Sequence, residues 1–265
     1  MSVVDKHAPG SFCWIELGTT DAKAAKAFYG GLFGWQPNDM PLGDGQFYTM
    51  LQIDGKELGA LYELDKNMRD AGVRPHWMQY ITVASANETA ARVKTLGGTV
   101  VKEPFDVFDA GRMAVIQDPT RAVFAIWQPN RSIGAGITAV PGTLCWSELI
   151  TSDKSAAIEF YTKLFGWSTK TNPADPNQYT EISNQGRPTG GMMQMSPEWG
   201  SDAPAHWMAY FLVADCDVTA AKIKELGGSV KTPAMDIPNV GRFAVVTDPQ
   251  EAVFAIFQPA AALEN

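Results

Sequence analysis

The sequence predicts an α+β protein in which a βαβββ module occurs four times, twice in each half of the 265-residue chain. Three observations lead to this prediction. The second half repeats the first. In each half, an alternating strand pattern runs twice into an amphipathic helix pattern, and each helix is followed by short strand-like segments separated by turn residues. A helix that follows a strand in this way covers one face of the sheet and leaves the other face free.

The two halves share a long series of matches that occur in the same order. We therefore predict two domains, residues 9–129 and 141–259, joined by a linker over 130–140 whose glycine and serine content is typical of a connector. The matched segments, each given for the first half and then the second, are Pro9-Gly10 and Pro141-Gly142, Phe28-Tyr29 and Phe160-Tyr161, 32–35 and 164–167, 76–78 and 206–208, Gly111-Arg112 and Gly241-Arg242, and 123–126 and 253–256.

The first strand sets the two faces of the predicted sheet. Residues 12–18 alternate as in a β-strand, which places Trp14 and Glu16 on the face that a helix does not cover. The opposite face is expected to carry Cys13, Ile15 and Leu17.

Helix signals follow both strands of the first half. An amphipathic helix begins after Asp21, a good N-cap residue, and ends at Gly34. The second module starts with a strand over 76–83, and Ser85 with Glu88 has the form of a capping box for the helix that follows. The remaining short strands are expected near 46–52, 57–63, 99–102, 112–117 and 122–128.

Composition is typical of a globular protein, with 45% hydrophobic and 19% charged residues. The formal net charge is −8 and no run of lysine and arginine offsets it, so nucleic-acid binding is disfavoured. The N-terminal residues lack a signal-peptide pattern, and no apolar run is long enough to span a membrane. We expect a cytoplasmic protein with reduced thiols, since no close pair exists among its cysteines, Cys13, Cys145 and Cys216.

Several segments resemble the vicinal oxygen chelate superfamily, which includes glyoxalase I, extradiol dioxygenases and bleomycin-resistance proteins. The resemblance lies in residues 13–21, in Phe28-Tyr29, in the run 32–35 and in the closing hairpin 118–127. It extends over nearly the whole chain and is strongest with a tandem-domain group that includes a mycobacterial culture-filtrate antigen. The resemblance implies curled mixed sheets that form a cup in each domain. It leaves the function open, because the superfamily performs many reactions.

Enzymes of this superfamily usually hold a divalent metal between ligands from three strands of the cup. The resemblance places those ligand positions at Trp14, Met78 and Ala125. None of these side chains binds a hard divalent ion. The second half gives the same result at its matching positions, Trp146, Met208 and Ala255. We therefore expect no metal site of the usual kind in either domain.

The histidine count disfavours extradiol dioxygenase chemistry independently of the resemblance. An iron site of two histidines and one carboxylate needs two imidazoles in each copy. The chain contains only His7, His76 and His206, and the first of these lies outside the repeat.

A carboxylate and an imidazole recur together in both halves. Glu16 and His76 lie on the cup-facing sides of their strands, and Glu148 and His206 repeat them. Such a pair could act as an oriented general base next to a carbonyl group, or hold a weakly bound divalent metal together with water. The alternative is that the glutamate satisfies a buried histidine for structural reasons.

Aromatic and methionine side chains are predicted to line both cups. Such a lining suits a flat or apolar small molecule, although the same rings could fill the cup as ordinary core. The predicted ligand-binding residues of the first half are Trp14, Tyr48, Met78, Tyr80 and Trp127. Those of the second half are Trp146, Tyr179, Met208, Tyr210 and Phe257.

Arg112 and Arg242 each follow a glycine at the start of a strand. Each could clamp the carboxylate of a substrate. The alternative, which we favour, is an ion pair at the surface or between domains.

These observations support three functional hypotheses. The favoured one is a metal-free protein that binds a small molecule in an aromatic cup, as the bleomycin-resistance branch does. The second is a glyoxalase-like lyase that uses the glutamate and histidine on a small carbonyl compound, methylglyoxal or its thiol adduct. The third is an interaction protein whose cups are filled by side chains. We expect a monomer formed by pairing of the two domains, with a homodimer as the alternative.

Overall fold

The computed structural model describes residues 2–173, 175, 177–196 and 204–260. Two eight-stranded mixed sheets dominate it, one in each half of the chain. The first half contains β1 (Ser2–Val3), β2 (Phe12–Thr19), α1 (Ala22–Phe33), β3 (Gln36–Gly43), β4 (Gln46–Ile53), β5 (Lys56–Glu63), α2 (Lys66–Asp70), β6 (His76–Thr82), α3 (Ala86–Thr95), β7 (Thr99–Val107), β8 (Gly111–Gln117) and β9 (Val123–Pro129).

The second half repeats this series with shorter outer strands. It contains β10 (Ile137–Thr138), β11 (Leu144–Thr151), α4 (Lys154–Phe165), β12 (Ser168–Thr171), β13 (Thr180–Asn184), β14 (Arg187–Gln194), β15 (His206–Leu212), α5 (Cys216–Glu225), β16 (Ser229–Ile237), β17 (Gly241–Thr247) and β18 (Val253–Pro259).

The strand order confirms the predicted pair of βαβββ modules in each half. The first sheet runs β3-β4-β5-β2-β6-β9-β8-β7, and the second runs β12-β13-β14-β11-β15-β18-β17-β16. In the first sheet, β2 and β6 pair antiparallel at the centre, while β2 pairs with β5 and β6 with β9 in parallel. Each sheet therefore joins two modules through their first strands. The short strands β1 and β10 form a separate two-stranded ribbon.

The helices begin where the sequence predicts. The carboxylate of Asp21 accepts a hydrogen bond from the backbone N–H of Ala24 at 2.8 Å, and Ser85 Oγ accepts one from Glu88 N at 3.2 Å. Gly34 ends α1 in the left-handed conformation, with a φ of 74°. These caps satisfy backbone donors that the first turn of a helix leaves unpaired.

The structure differs from the sequence prediction at the outer strands and at one residue of β2. The sequence predicts no strand at β3 and an earlier end for β7 than the structure has. It also places Cys13 on the helix-covered face, whereas Cys13 packs in the cup with Trp14. A register shift between Phe12 and Trp14 explains this, because the irregularity interrupts the alternation of side chains along the strand.

The helix-covered faces of the two sheets pack against each other. One core joins the first module of the first half to the second module of the second half, and a second core joins the remaining two modules. In the first of these cores, Tyr29 of α1 stacks on Trp35 with ring centroids 5.2 Å apart and lies 5.8 Å from Phe254 of β18. The two domains thus complete each other's hydrophobic core within one chain.

A buried hydrogen-bond chain crosses each of these cores. Tyr29 Oη donates to Asp248 Oδ2 at 3.1 Å, and Trp77 Nε1 donates to Tyr29 Oη at 3.1 Å. Asp248 is only 2% exposed, and burial raises the pKa of its carboxyl group. The equivalent chain in the other core runs from Trp207 through Tyr161 to Asp118.

Removing one of these hydroxyl groups should weaken the pairing of the domains. We expect Tyr29→Phe to lower the free energy of unfolding by about 1–3 kcal/mol, because it leaves Asp248 Oδ2 buried without its tyrosine donor. Tyr161→Phe should have a similar effect at the matching position. Denaturant unfolding measures both, and a change below about 0.5 kcal/mol, as at an ordinary surface site, would contradict the prediction.

Candidate functional site

The face of each sheet opposite the helices forms a cup lined by aromatic and methionine side chains. We call these cup 1 and cup 2, in the first and second halves of the chain. Cup 1 is formed by Cys13, Trp14, Ala60, Tyr80, Ala125, Trp127 and Ala135, with Tyr48, Met50, Met78, Val107, Ala110 and Met113 packed around them. Cup 2 is formed by Ile150, Met208, Tyr210 and Ala255, with Cys145, Trp146, Met193, Met195, Phe243, Val245 and Phe257 around them.

A glutamate lies in cup 1 at the end of a chain of hydrogen bonds. Trp14 Nε1 donates to Tyr48 Oη at 3.3 Å, and Tyr48 Oη donates to Glu16 Oε2 at 2.7 Å. Tyr80 of the neighbouring strand also interacts with the Glu16 carboxyl group, which helps to raise the pKa of this tyrosine, although burial is the larger cause. The carboxyl group therefore lies between two tyrosine hydroxyl groups.

Cup 2 repeats the arrangement with its own residues. Trp146 Nε1 donates to Tyr179 Oη at 2.8 Å, and Tyr210 Oη donates to Glu148 Oε1 at 3.0 Å. Tyr179 also interacts with the Glu148 carboxyl group. Gly191 permits this packing, because a Cβ atom there would lie 1.8 Å from Tyr179 Oη.

Burial raises the pKa of both glutamates, and the tyrosine hydrogen bonds oppose this effect in part. Burial has this effect because an apolar surrounding disfavours the charged form of a carboxyl group. A carboxyl group of this kind can donate a hydrogen bond when protonated and can accept a proton when ionised. Both cups therefore hold a group suited to hydrogen bonding or to general acid–base chemistry.

The histidines are held by the backbone. His76 Nδ1 lies 2.8 Å from the carbonyl oxygen of Arg74, and His206 Nδ1 lies 2.9 Å from that of Pro204. A carbonyl oxygen only accepts, so Nδ1 of each ring is the donor in these hydrogen bonds. Burial lowers the pKa of His76, which favours the neutral imidazole with Nε2 as an acceptor.

Glu16 and His76 are predicted from the sequence to pair directly, but the structure gives each of them another hydrogen-bond partner. Tyr48 donates to Glu16, and His76 binds the backbone carbonyl group of Arg74. In the strand register, Glu16 is opposite Met78, and His76 is opposite Gly18. The carboxyl group of Glu16 instead accepts hydrogen bonds from the hydroxyl groups of Tyr48 and Tyr80. The second half has the same register, with Glu148 opposite Met208 and His206 opposite Ile150.

The structure places Arg112 on the helix-covered side of the sheet, away from cup 1. Its Nε donates to Asn87 Oδ1 at 3.0 Å, and its Nη1 donates to Asp106 Oδ1 at 2.7 Å. The neighbouring Met113 packs in cup 1, as alternation along a strand requires. Arg242 is held in the same way, by Asp217 and Asp236. Both arginines therefore form surface ion pairs, which is the alternative favoured from the sequence, and not a clamp on a substrate carboxylate.

The residues at the superfamily's metal-ligand positions do not fit a divalent metal. Trp14, Met78 and Ala125 lie in cup 1 and offer an indole, a thioether and a methyl group. A hard divalent ion requires oxygen or imidazole ligands. Within the described ranges of the chain, no group of three or more His, Cys, Asp or Glu side chains could hold a metal ion.

Tyr62 of β5 is not among the site residues predicted from the sequence. It lies in the polar part of cup 1, where the charge of Glu16 adds to burial in raising the pKa of this tyrosine. The repeat offered no signal for it, because Met193 occupies the matching position of β14 in the strand register.

Comparison with known families identifies the family to which this chain belongs. The sequence model of the Glyoxalase/Bleomycin resistance protein/Dioxygenase superfamily matches residues 11–126 and 143–256. The chain belongs to this superfamily and contains two tandem domains of the family. The match confirms the family that the sequence motifs predict.

Two similar proteins span almost the same length. The chain is 39% identical over 256 residues to a protein of Mycobacterium tuberculosis named "Putative glyoxylase CFP32", covering 96% of this chain and 97% of that protein. It is 34% identical over 269 residues to "Anthracycline biosynthesis protein DnrV" of Streptomyces peucetius, covering 96% and 94%.

Solved structures share the fold at low sequence identity. The Mn(II)-bound glyoxalase from Novosphingobium aromaticivorans superimposes with a TM-score of 0.66 at 14% identity, covering 94% of this chain and 82% of that chain. The 2,3-dioxygenase LapB from Pseudomonas sp. KL28 gives a TM-score of 0.67 at 12% identity, covering 97% and 96%. At this identity the likeness concerns the fold alone. None of the helices in the described ranges is long and apolar enough to cross a membrane.

The buried carboxyl groups should make stability depend on pH. Their folded-state pKa values lie above the unfolded values, so the stability they contribute at low pH is lost as the pH rises through the folded-state values. The double variant Glu16→Gln/Glu148→Gln cannot ionise at these positions. Above pH 4.5, the usual value for glutamate, its melting temperature should therefore gain progressively on that of the unchanged protein.

Calorimetric melting curves between pH 4.5 and about pH 8 measure this gap. We expect it to widen by several degrees, because about 1 kcal/mol moves the melting temperature of a protein of this size by roughly 2–4 °C. Glu159→Gln is the control, since that carboxylate is exposed and paired with Lys163. A constant gap across the pH range would contradict the prediction.

Proposed function

We propose that this protein binds a small, flat, largely apolar molecule in its aromatic cups, without the divalent metal that is usual in the superfamily. One observation carries the proposal. In both cups an indole, two tyrosines and a buried glutamate form the same polar group within an otherwise apolar lining. A site of this kind combines apolar surface for a ligand's body with a few polar groups that fix its orientation.

The chemistry of the lining favours an aromatic ligand. The indole of Trp14 and the ring of Tyr80 are almost fully buried in cup 1, and Trp146 and Phe257 are half-buried in cup 2. Aromatic rings pack well against flat ring systems, by stacking or edge-to-face contact. A ligand hydroxyl or carbonyl group could exchange hydrogen bonds with the glutamate and tyrosines, which can both donate and accept.

The relatives support the same class of ligand. One similar protein is named for anthracycline biosynthesis, and anthracyclines are flat fused-ring compounds with hydroxyl and carbonyl groups. A ligand of that shape suits an aromatic cup with a carboxyl group and tyrosine hydroxyl groups inside it. The expected setting, a cytoplasmic protein that acts as a monomer, belongs to this proposal.

Glyoxalase-like lyase activity is the second candidate. The observation that favours it is the raised pKa of Glu16 beside tyrosine hydroxyl groups. An ionised glutamate could remove the proton next to a carbonyl group, while a tyrosine hydroxyl stabilises the developing oxygen charge. The substrate would be a small carbonyl compound, methylglyoxal or its thiol adduct, and one similar protein is named a putative glyoxylase.

A binding titration tests the first proposal. The probe is 1,8-dihydroxyanthraquinone, and quenching of tryptophan fluorescence reports it, because Trp14 and Trp146 lie in the cups. We expect saturable binding that weakens about tenfold in Glu16→Gln/Glu148→Gln, since one lost hydrogen bond is worth about 1.4 kcal/mol. The control Glu159→Gln should bind like the unchanged protein. Absence of saturable quenching, or equal affinity in all three proteins, would contradict the proposal.

A turnover assay separates the two candidates. The protein is stripped with chelator and incubated with methylglyoxal and a thiol, first alone and then with added Zn²⁺, Ni²⁺ or Mn²⁺. Turnover without metal that is lost in Glu16→Gln/Glu148→Gln would favour the lyase. Turnover that appears only with one equivalent of bound metal would overturn the metal-free proposal. Tight probe binding without turnover supports the binding function.

A further inference from the structure

The two cups differ at one place where the halves otherwise match closely. In β2, Gly18 lies between Tyr62 of β5 and His76 of β6 in the strand register. In β11, the matching residue is Ile150, which lies between Met193 and His206. Cup 1 thus has a glycine and a tyrosine where cup 2 has an isoleucine and a methionine.

The missing side chain at Gly18 lets two polar groups approach the backbone. A Cβ atom on Gly18 would lie 3.1 Å from Tyr62 Oη and 3.2 Å from His76 Cε1. It would also lie 2.9 Å from Leu64 Cδ2, so the position has no room for a larger residue unless its neighbours shift. The tyrosine hydroxyl and the imidazole therefore converge over this glycine.

Glu16 belongs to the same polar region, since it lies two residues before Gly18 on the same strand face. The charge of Glu16 acts on both Tyr62 and Tyr80. The Glu16 side chain is largely buried but keeps some solvent exposure. Cup 1 therefore presents a carboxyl group, tyrosine hydroxyl groups and a neutral imidazole on one wall.

Cup 2 closes the equivalent wall with apolar side chains. Ile150 is only 2% exposed and packs with Met208, which is 6% exposed. Glu148 is 8% exposed, against the half-buried Glu16. Cup 2 thus keeps its glutamate, its tyrosines and His206, but Met193 occupies the position that Tyr62 has in cup 1.

We propose that the two cups are not equivalent, and that cup 1 alone, through Gly18, Tyr62 and His76, recognises a hydroxyl group next to a carbonyl group on a flat ring. The tyrosine hydroxyl donates to the ligand carbonyl, and the neutral imidazole accepts from the ligand hydroxyl. Cup 2 keeps the imidazole of His206 on that wall but has Ile150 and Met193 in place of the glycine and the tyrosine. This inference rests on the proposed binding function and assigns its polar specificity to one of the two sites.

Two probes that differ only in their hydroxyl groups test this inference, namely 1,8-dihydroxyanthraquinone and unsubstituted anthraquinone. We expect Tyr62→Phe, which removes one hydroxyl group and no ring, to weaken the dihydroxy probe about tenfold. The unsubstituted probe keeps the carbonyl group but lacks the hydroxyl group that the imidazole holds, so it contacts Tyr62 in only part of its bound orientations and its affinity should fall by a smaller factor. A general loss of fold would weaken both probes equally.

Placing the cup 1 residues in cup 2 tests whether this wall accounts for the difference in binding between the two cups. In the unchanged protein, calorimetry should show one high-affinity site per chain for the dihydroxy probe. The variant Ile150→Gly/Met193→Tyr gives cup 2 the residues of cup 1 and should raise this number to two.

Two equal sites in the unchanged protein would overturn the inference. So would a Tyr62→Phe effect that is absent or the same for both probes. An exchange variant that still binds only one molecule of the dihydroxy probe per chain would overturn it as well. If neither probe binds any of these proteins, the proposed function fails and takes this inference with it. Binding that shows two equal sites leaves the proposed function standing while excluding the difference between the cups.

Discussion

The pairing of the two halves is the constraint on which the rest of the structure depends. Each sheet has one helix-covered face, and those faces are buried against each other in two shared cores. A half on its own would expose Tyr29, Trp35 and their neighbours, which are almost fully buried in the paired chain. Because this pairing buries the helix-covered faces, only the opposite faces of the sheets can form cups.

The buried tyrosine–aspartate contacts give this pairing a defined geometry. Apolar burial supplies most of the stabilisation but has little directional preference. Tyr29 with Asp248 and Tyr161 with Asp118 add hydrogen bonds between halves that only one arrangement satisfies. The sequence repeat makes the two contacts equivalent, which accounts for the near symmetry of the two cores.

The two cups share one group of polar side chains and differ along one wall. The positions that the resemblance assigns to metal ligands carry tryptophan, methionine and alanine in both halves. The same indole–tyrosine–glutamate group also occurs in both. The copies then diverge at Gly18 and Ile150, and at Tyr62 and Met193. Duplication permits this divergence, because the lining of one cup can change without a change in the other.

The candidate site was only partly visible in the sequence. The repeat pointed to Glu16, Tyr48 and Tyr80, because each has an identical residue at the matching place in the second half. It did not point to Tyr62, which has no such match. Periodicity placed Arg112 at a strand start but could not assign the face on which its partners lie.

The sequence by itself determined the four modules, the tandem domains, the helix caps and the family. These features depend on local backbone preferences and on side-chain periodicity, which the order of residues records directly. Only the tertiary structure decided that Glu16 bonds to tyrosines rather than to His76, that Cys13 lies in the cup, and that each half completes the other's core. These outcomes depend on strand register and on contacts between distant segments, where a single irregularity redirects a side chain.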